Sequence, residues 1–223
     1  MITSLLWRCP LCTTSEALVH QRSLLRSDRL ACTACHARWR VRRVPGDDFY
    51  LRLDRPSASH PMPASQERSL AIWYDLMKSN LHLEATQSPY ITLQPRETLY
   101  LVSQAVELWT AADDPLTAGK TDNPPGKVSP SDEDLTMLYG RGQLFLTNQR
   151  LAWQGETSSH DFHLTRLQGA YAILTLGLAV SVGMRLVFFQ FLHESPLKWT
   201  SYIDLVAAQE QVEIGRRIET SHW

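Results

Sequence analysis

Residues Tyr139–Gly155, YGRGQLFLTNQRLAWQG, carry the strand–turn–strand pattern around which the rest of this 223-residue chain can be arranged. Leu144, Leu146, Leu151 and Trp153 supply apolar positions, and Thr147, Asn148 and Gln149 interrupt them with turn-forming side chains. The pattern predicts a β-hairpin. Asn148 is expected to take the left-handed backbone conformation of a tight turn, with Gly140, Gly142 and Gly155 relaxing the chain at the margins.

The flanking sequence supplies partners for that hairpin. Thr98–Thr110, with Tyr100, Val102, Val106, Leu108 and Trp109, reads as a long strand, and Asp161–Leu167 as another. Between the first strand and the hairpin, residues 111–134 hold six acidic and two basic side chains among Pro, Gly and Ser, and read as a loop. Residues 169–184 lack any charge, but a membrane-spanning helix needs about twenty apolar residues, and Gly177, Ser181 and Gly183 interrupt the run before Arg185 stops it. Two buried strands, Tyr171–Val182 and Arg185–His193 with a turn at Gly183, fit better than a membrane span. From Ser201 the spacing of Tyr202, Leu205, Val206, Val212 and Ile218 predicts a helix, weakened by Gly215 and ending with Arg216 and Arg217.

Gly142, Leu144, Leu146, Thr147, Asn148, Arg150, Leu151 and Trp153 together resemble the GRAM branch of the pleckstrin-homology (PH) superfold, and especially the GLUE domains of ESCRT-II subunits. The resemblance covers roughly residues 96–219 and is sharpest in the hairpin. It implies a seven-stranded bent barrel closed by a C-terminal helix, without enzyme activity, binding phosphoinositides or proteins such as ubiquitin. The loop at 111–134 stands where lipid-binding relatives carry cations, yet here only Lys120 and Lys127 oppose the acids, which weighs toward a protein partner. Arg141, Arg150, Arg166 and Arg185 are the cations of this region that could meet an anionic ligand.

All four cysteines lie near the start, as Cys9-Pro-Leu-Cys12 and Cys32-Thr-Ala-Cys35. Each two-residue gap lets a pair wrap a tight knuckle round one metal ion, and two knuckles complete a tetrahedral four-thiolate set. Such soft ligands favour zinc, with iron as the other candidate ion and a redox dithiol as the other role. A closed four-sulfur shell makes the ion structural. Strand-like runs at Ala17–His20, Leu24–Arg26, Arg38–Val44 and Phe49–Leu53, with a turn at Pro45–Asp48, predict a zinc ribbon stabilised largely by its metal.

Charge divides unevenly. Residues 1–56 hold ten Arg, no Lys and five acids, whereas residues 57–223 hold twelve basic and eighteen acidic side chains. Strand alternation puts Arg38, Arg40 and Arg42 on a face opposite Trp39 and Val41, and Arg43, next in sequence, joins them as a candidate for an anionic partner. That face reads first as a surface for protein or for the acidic C-terminal module, with nucleic-acid binding as the alternative.

Residues 54–66, with three prolines and three serines, read as a linker in which His60 is exposed. Leu70, Trp73, Met77 and Leu81 then recur at helical spacing, an apolar stripe expected to pack on the barrel. The chain thus parses into a zinc ribbon (1–56), a linker with an amphipathic helix (57–95) and a PH-like barrel (96–223). The start, MITSLLWRCPLC, lacks the pattern of a signal peptide, so a cytoplasmic protein, peripheral to a membrane if it binds lipid, is expected.

No catalytic constellation emerges. His160 and His163 are three apart on a predicted strand and face opposite sides, and His193-Glu194-Ser195 has no nucleophile motif around it. Gly140-Arg141-Gly142 is too short for a phosphate loop. The expectation is a noncatalytic adaptor with a structural zinc ion, binding a protein or membrane-lipid partner. An accessory subunit of a larger enzyme complex is a further alternative.

Overall fold

The computed structural model describes residues 2–23, 27–44, 49–57, 66–110, 137–173, 177–183, 185–212 and 214. The expected strand Leu24–Arg26, the Pro45–Asp48 turn, His60, the acidic loop at 111–134 and Gly215–Ile218 lie outside these residues. Two compact units divide the chain, one running to His82 and the next beginning at Leu83.

In the first unit a short helix, α1 (Ile2–Leu5), precedes β1 (Leu18–Gln21), β2 (Arg29–Cys32), β3 (Arg38–Arg43), β4 (Phe49–Arg55) and β5 (Glu67–Ser69). These five strands form one antiparallel sheet in chain order. Along β3 exposure alternates as expected, with Trp39 and Val41 buried between exposed Arg38, Arg40 and Arg42. The buried face needs a cover, because a sheet this small cannot bury both sides against itself.

α2 (Leu70–Ser79) supplies the cover. Ser69 caps its start, Oγ accepting from Ile72 N at 3.4 Å, and Leu70, Trp73 and Met77 are buried as the stripe predicted. The helix packs on β4 and β5 of its own unit. Trp73 meets Trp39 edge to face with ring centres 5.8 Å apart, and its indole N–H donates to Leu51 O at 3.0 Å. Periodicity identifies an apolar face but not its partner, and the nearest uncovered apolar surface was the sheet just completed. The stretch read as an interdomain linker correspondingly joins β4 to β5, adjacent strands of one sheet.

The second unit contains β6 (Leu99–Thr110), β7 (Met137–Thr147), β8 (Arg150–Gly155), β9 (Ser159–His163), β10 (Leu167–Ile173), β11 (Gly177–Val182), β12 (Arg185–Phe191) and α3 (Pro196–Gln209). The strands form an antiparallel sheet in the order β10-β11-β12-β6-β7-β8-β9. β6 is its centre, pairing with β12 on one side and β7 on the other. Register shifts along β6–β7, including one between Ser103 and Val106, bend these long strands so that the sheet can curl. α3 packs on β10 and β11, bringing Trp199, Ile203 and Val206 into a core with Leu144, Leu146, Leu151, Trp153 and Phe189. Trp199 stacks on Phe191 with centroids 5.3 Å apart. The second unit is therefore mainly β, a curled seven-stranded antiparallel barrel with a C-terminal helix packed on it.

Several boundaries differ from the sequence reading. The uncharged run is two strands, not one, with Tyr171 opposite Ala179 and Ile173 opposite Gly177. Gly183 does turn the chain, at φ +62°, into β12. A 3-10 turn at Leu164–Arg166 ends the expected Asp161–Leu167 strand early. α3 begins five residues before Ser201, because Pro196 after Ser195 is a favoured helix start. No helix among the described residues is long and apolar enough to cross a membrane.

Candidate functional site

The four cysteine sulfurs lie within 4.8 Å of one another. Cys9 Sγ is 3.8 Å from Cys35 Sγ, and Cys12 Sγ is 3.7 Å from Cys32 Sγ. A metal–sulfur bond of about 2.3 Å in a regular tetrahedron puts its sulfurs about 3.8 Å apart, so these spacings match one shared ion. They are too long for disulfides, whose sulfurs sit about 2.05 Å apart.

The two knuckles are built alike. In the first, Thr13 N donates to Cys9 O and Cys9 N to Thr14 O, at 2.9 and 3.0 Å. In the second, His36 N donates to Cys32 O and Cys32 N to Ala37 O, at 3.1 and 2.9 Å. The residue after each second cysteine is left-handed, Thr13 at φ +60° and His36 at φ +61°. Neither is glycine, so sequence gave no sign of it.

Burial pushes the Cys9 and Cys32 thiols up, despite nearby backbone N–H groups. Burial also opposes ionisation of Cys12, but Thr14 and the adjacent thiols outweigh it and bring Cys12 down to about 7. Four thiolates this close need a cation to be ionised together, and a soft, divalent, tetrahedral metal suits the donor set. Cys9, Cys12, Cys32 and Cys35 would hold it, and it would tie the two knuckles together.

The barrel-region arginines do not gather into one site. Arg150 points inward: Nε donates to Glu97 Oε1 at 2.8 Å, Nη2 to Glu97 Oε2 and Thr92 O at 3.0 Å each, and Nη1 to Asp161 at 2.5 Å. With its donors committed, it is a structural cation rather than an anion receptor. Arg141 is exposed and paired with Glu107 at 2.7 Å. It stands near the middle of β7, six residues from Thr147 at the turn, about 20 Å along the strand from the end that Arg150 occupies. Arg166 is exposed on the 3-10 turn, and Arg185 opens β12 half-buried.

The hairpin turn also works differently from expectation. Asn148 keeps a negative φ and serves as a tie: its Oδ1 accepts from Thr98 N at 2.8 Å and its Nδ2 donates to Arg96 O at 3.2 Å. Arg96, in the segment before β6 that Asn148 holds, is left-handed instead, at φ +65°. Thr147 Oγ1 accepts from Gln149 N and Arg150 N and donates to Glu97 Oε1 at 2.8 Å. Gly142 is required for close approach, since a Cβ there would fall 2.1 Å from Gln154 O.

Next to that approach lies an open groove of about 460 Å³, lined by Tyr90, Gln104, Arg141, Gln143, Gln154 and Leu192 among others. Tyr90 and Leu192 are 59% and 46% exposed. Sequence reasoning missed it because these residues come from separate segments. His160 packs against Tyr139 and Trp153, while His163 is exposed, and among the described residues the cysteines form the one group of three or more metal-ligating side chains. Glu194 binds Lys198 and the Trp199 indole, securing the start of α3.

On β3, Arg40 pairs with Asp54 at 3.2 Å and Arg42 with Glu67 at 2.9 Å, while Arg43 lies over Phe49 at the strand end. Arg38 is exposed.

No family model and no curated protein matches the chain. Among solved structures it is similar to a Vps36 N-terminal PH domain, at 15% identity and a TM-score of 0.40, the match covering 60% of this chain and 96% of that one.

Proposed function

We propose that the chain is a noncatalytic adaptor in which a structural zinc ion holds the N-terminal sheet and the barrel recognises a protein partner, ubiquitin or a related fold being the first candidate. The cysteine cluster carries the reading. Its four sulfurs fill a tetrahedral shell, leaving no position for substrate or an activated water. Thiolates in that geometry select zinc over magnesium or calcium. A protein partner is favoured over a phosphorylated lipid because Arg150 and Arg141 already face carboxylates, while the groove offers Tyr90 and Leu192 within a rim of amides.

Metal analysis of the full chain, with titrations of ubiquitin and of phosphoinositide-containing vesicles, tests this reading. One zinc per chain and ubiquitin binding weakened by Tyr90→Ala or Leu192→Ala would support it. Binding to vesicles alone, lost in Arg166→Gln, would replace the protein partner with a membrane. Absence of zinc would remove the metal assignment.

A further inference from the structure

The exposed face of the five-stranded sheet concentrates arginine beyond the run visible on β3. Antiparallel register places Arg29 of β2 opposite Arg40 of β3, and Arg40 opposite Arg52 of β4. Arg38 stands opposite Arg55. All five of these side chains are exposed. Like charges directly opposite one another destabilise a sheet, and here three adjacent strands repeat the arrangement.

Only two acids relieve it among the described residues. Asp54 lies between Arg40 and Arg52, 3.2 Å from each, and Glu67 takes Arg42. Arg29, Arg38 and Arg55 have no carboxylate partner among the described residues. An ordinary solvated face would intersperse Lys and Glu with its arginines, but no Lys occurs in residues 1–56. Guanidinium is the cation that meets phosphate with a planar, two-pronged set of donors.

The spacing selects among anionic partners. Charges repeat about 4.8 Å apart across the strands and about 6.6 Å apart along β3, a two-way lattice suited to a ligand with a regularly repeating charge. Among the described residues the face carries one exposed large apolar side chain, Val19, in the same cross-strand row as Arg38, which is too little to enter a bilayer, and Tyr50 is half-buried beneath Arg42. The charges lie in rows on one face of a sheet, along which an extended strand can be laid.

We propose that this face binds the phosphate backbone of single-stranded nucleic acid through Arg29, Arg38, Arg40, Arg42 and Arg52, with little dependence on base sequence. Arg43, at the strand end over Phe49, is not part of it. The proposal rests on the metal-held fold of this unit and not on the barrel's partner.

Fluorescence anisotropy of the zinc-loaded full chain with labelled DNA and RNA single strands of about twenty nucleotides, across a salt series, provides the test. Binding should weaken steeply with salt. Arg29→Gln/Arg40→Gln/Arg52→Gln should lose about tenfold or more in affinity and lower the log–log salt slope by about 2, near 0.7 per contact. Unchanged metal content in that variant verifies its fold, and Arg166→Gln should bind as the parent does. No binding at low salt, binding that the triple variant leaves intact, or stronger binding to duplex or to anionic vesicles would overturn the proposal.

Discussion

Arg150 and Glu97, fifty-three residues apart, face each other through two parallel hydrogen bonds of 2.8 and 3.0 Å, with Glu97's side chain entirely buried. The pair ties the start of β8 to the segment before β6, and Thr147 and Asp161 complete it. Removing one member leaves the other charged and uncompensated in the interior. Arg150→Ala is expected to cost about 3–5 kcal/mol in urea unfolding followed in the barrel.

The same pair predicts acid sensitivity. Burial alone would raise the Glu97 carboxyl, but hydrogen bonds from Arg150, Gln94 N–H and Thr147 outweigh it and hold it below the usual range. A depressed carboxyl contributes stability that is complete above its unfolded value of about 4.3, and lost as pH falls through the lower folded value. Unfolding midpoints should therefore drop on acidification below about pH 4, and Glu97→Gln should flatten that dependence.

Metal removal should act on one unit only. A chelator, or Cys32→Ser, is expected to collapse the N-terminal sheet while leaving the barrel folded, because the described residues of the core around Leu144 and Trp199 all belong to the second unit. Amide exchange by mass spectrometry would show fast exchange in β1–β5 and protection in β6–β12. Loss of protection in both would refute the separation.

Trp73→Ala should cost about 3–5 kcal/mol in the first unit by emptying the space beside Trp39 and orphaning Leu51 O. Faster exchange throughout α2 would accompany it. A loss confined to barrel strands would contradict the observed docking.

Gly142→Ala tests whether the glycine is there for space. Its methyl would strike Gln154 O, so β7 and β8 must part locally, and about 1–3 kcal/mol of barrel stability should be lost. An unchanged midpoint would show that the strands yield freely.

Features set by local chemistry were legible in the sequence. Cys-x-x-Cys spacing marks the knuckles, alternation marks the two faces of β3, and three- and four-residue spacing marks α2. What stayed hidden depends on residues distant along the chain. Arg150 looks like a surface cation until Glu97 is brought beside it, and the arginine row needs β2 and β4 in register with β3. β2 itself, Arg29-Leu-Ala-Cys32, is too short and mixed to announce a strand, and its ladders with β1 and β3 make it one. Asn148 suggested backbone freedom from its residue type, whereas its amide ties the hairpin to Thr98 and Arg96.

The pairing of β5 with β4, and the reach of Trp73 to Leu51, impose an order on biosynthesis. Both knuckles and four strands have left the ribosome by Arg55, so metal capture can come first. The free edge of β4 and the indole of Trp39 then stay uncovered until residues 67–79 emerge. The interval between Arg55 and α2 is thus a window of vulnerability for the nascent chain, closed by translation rather than by the metal.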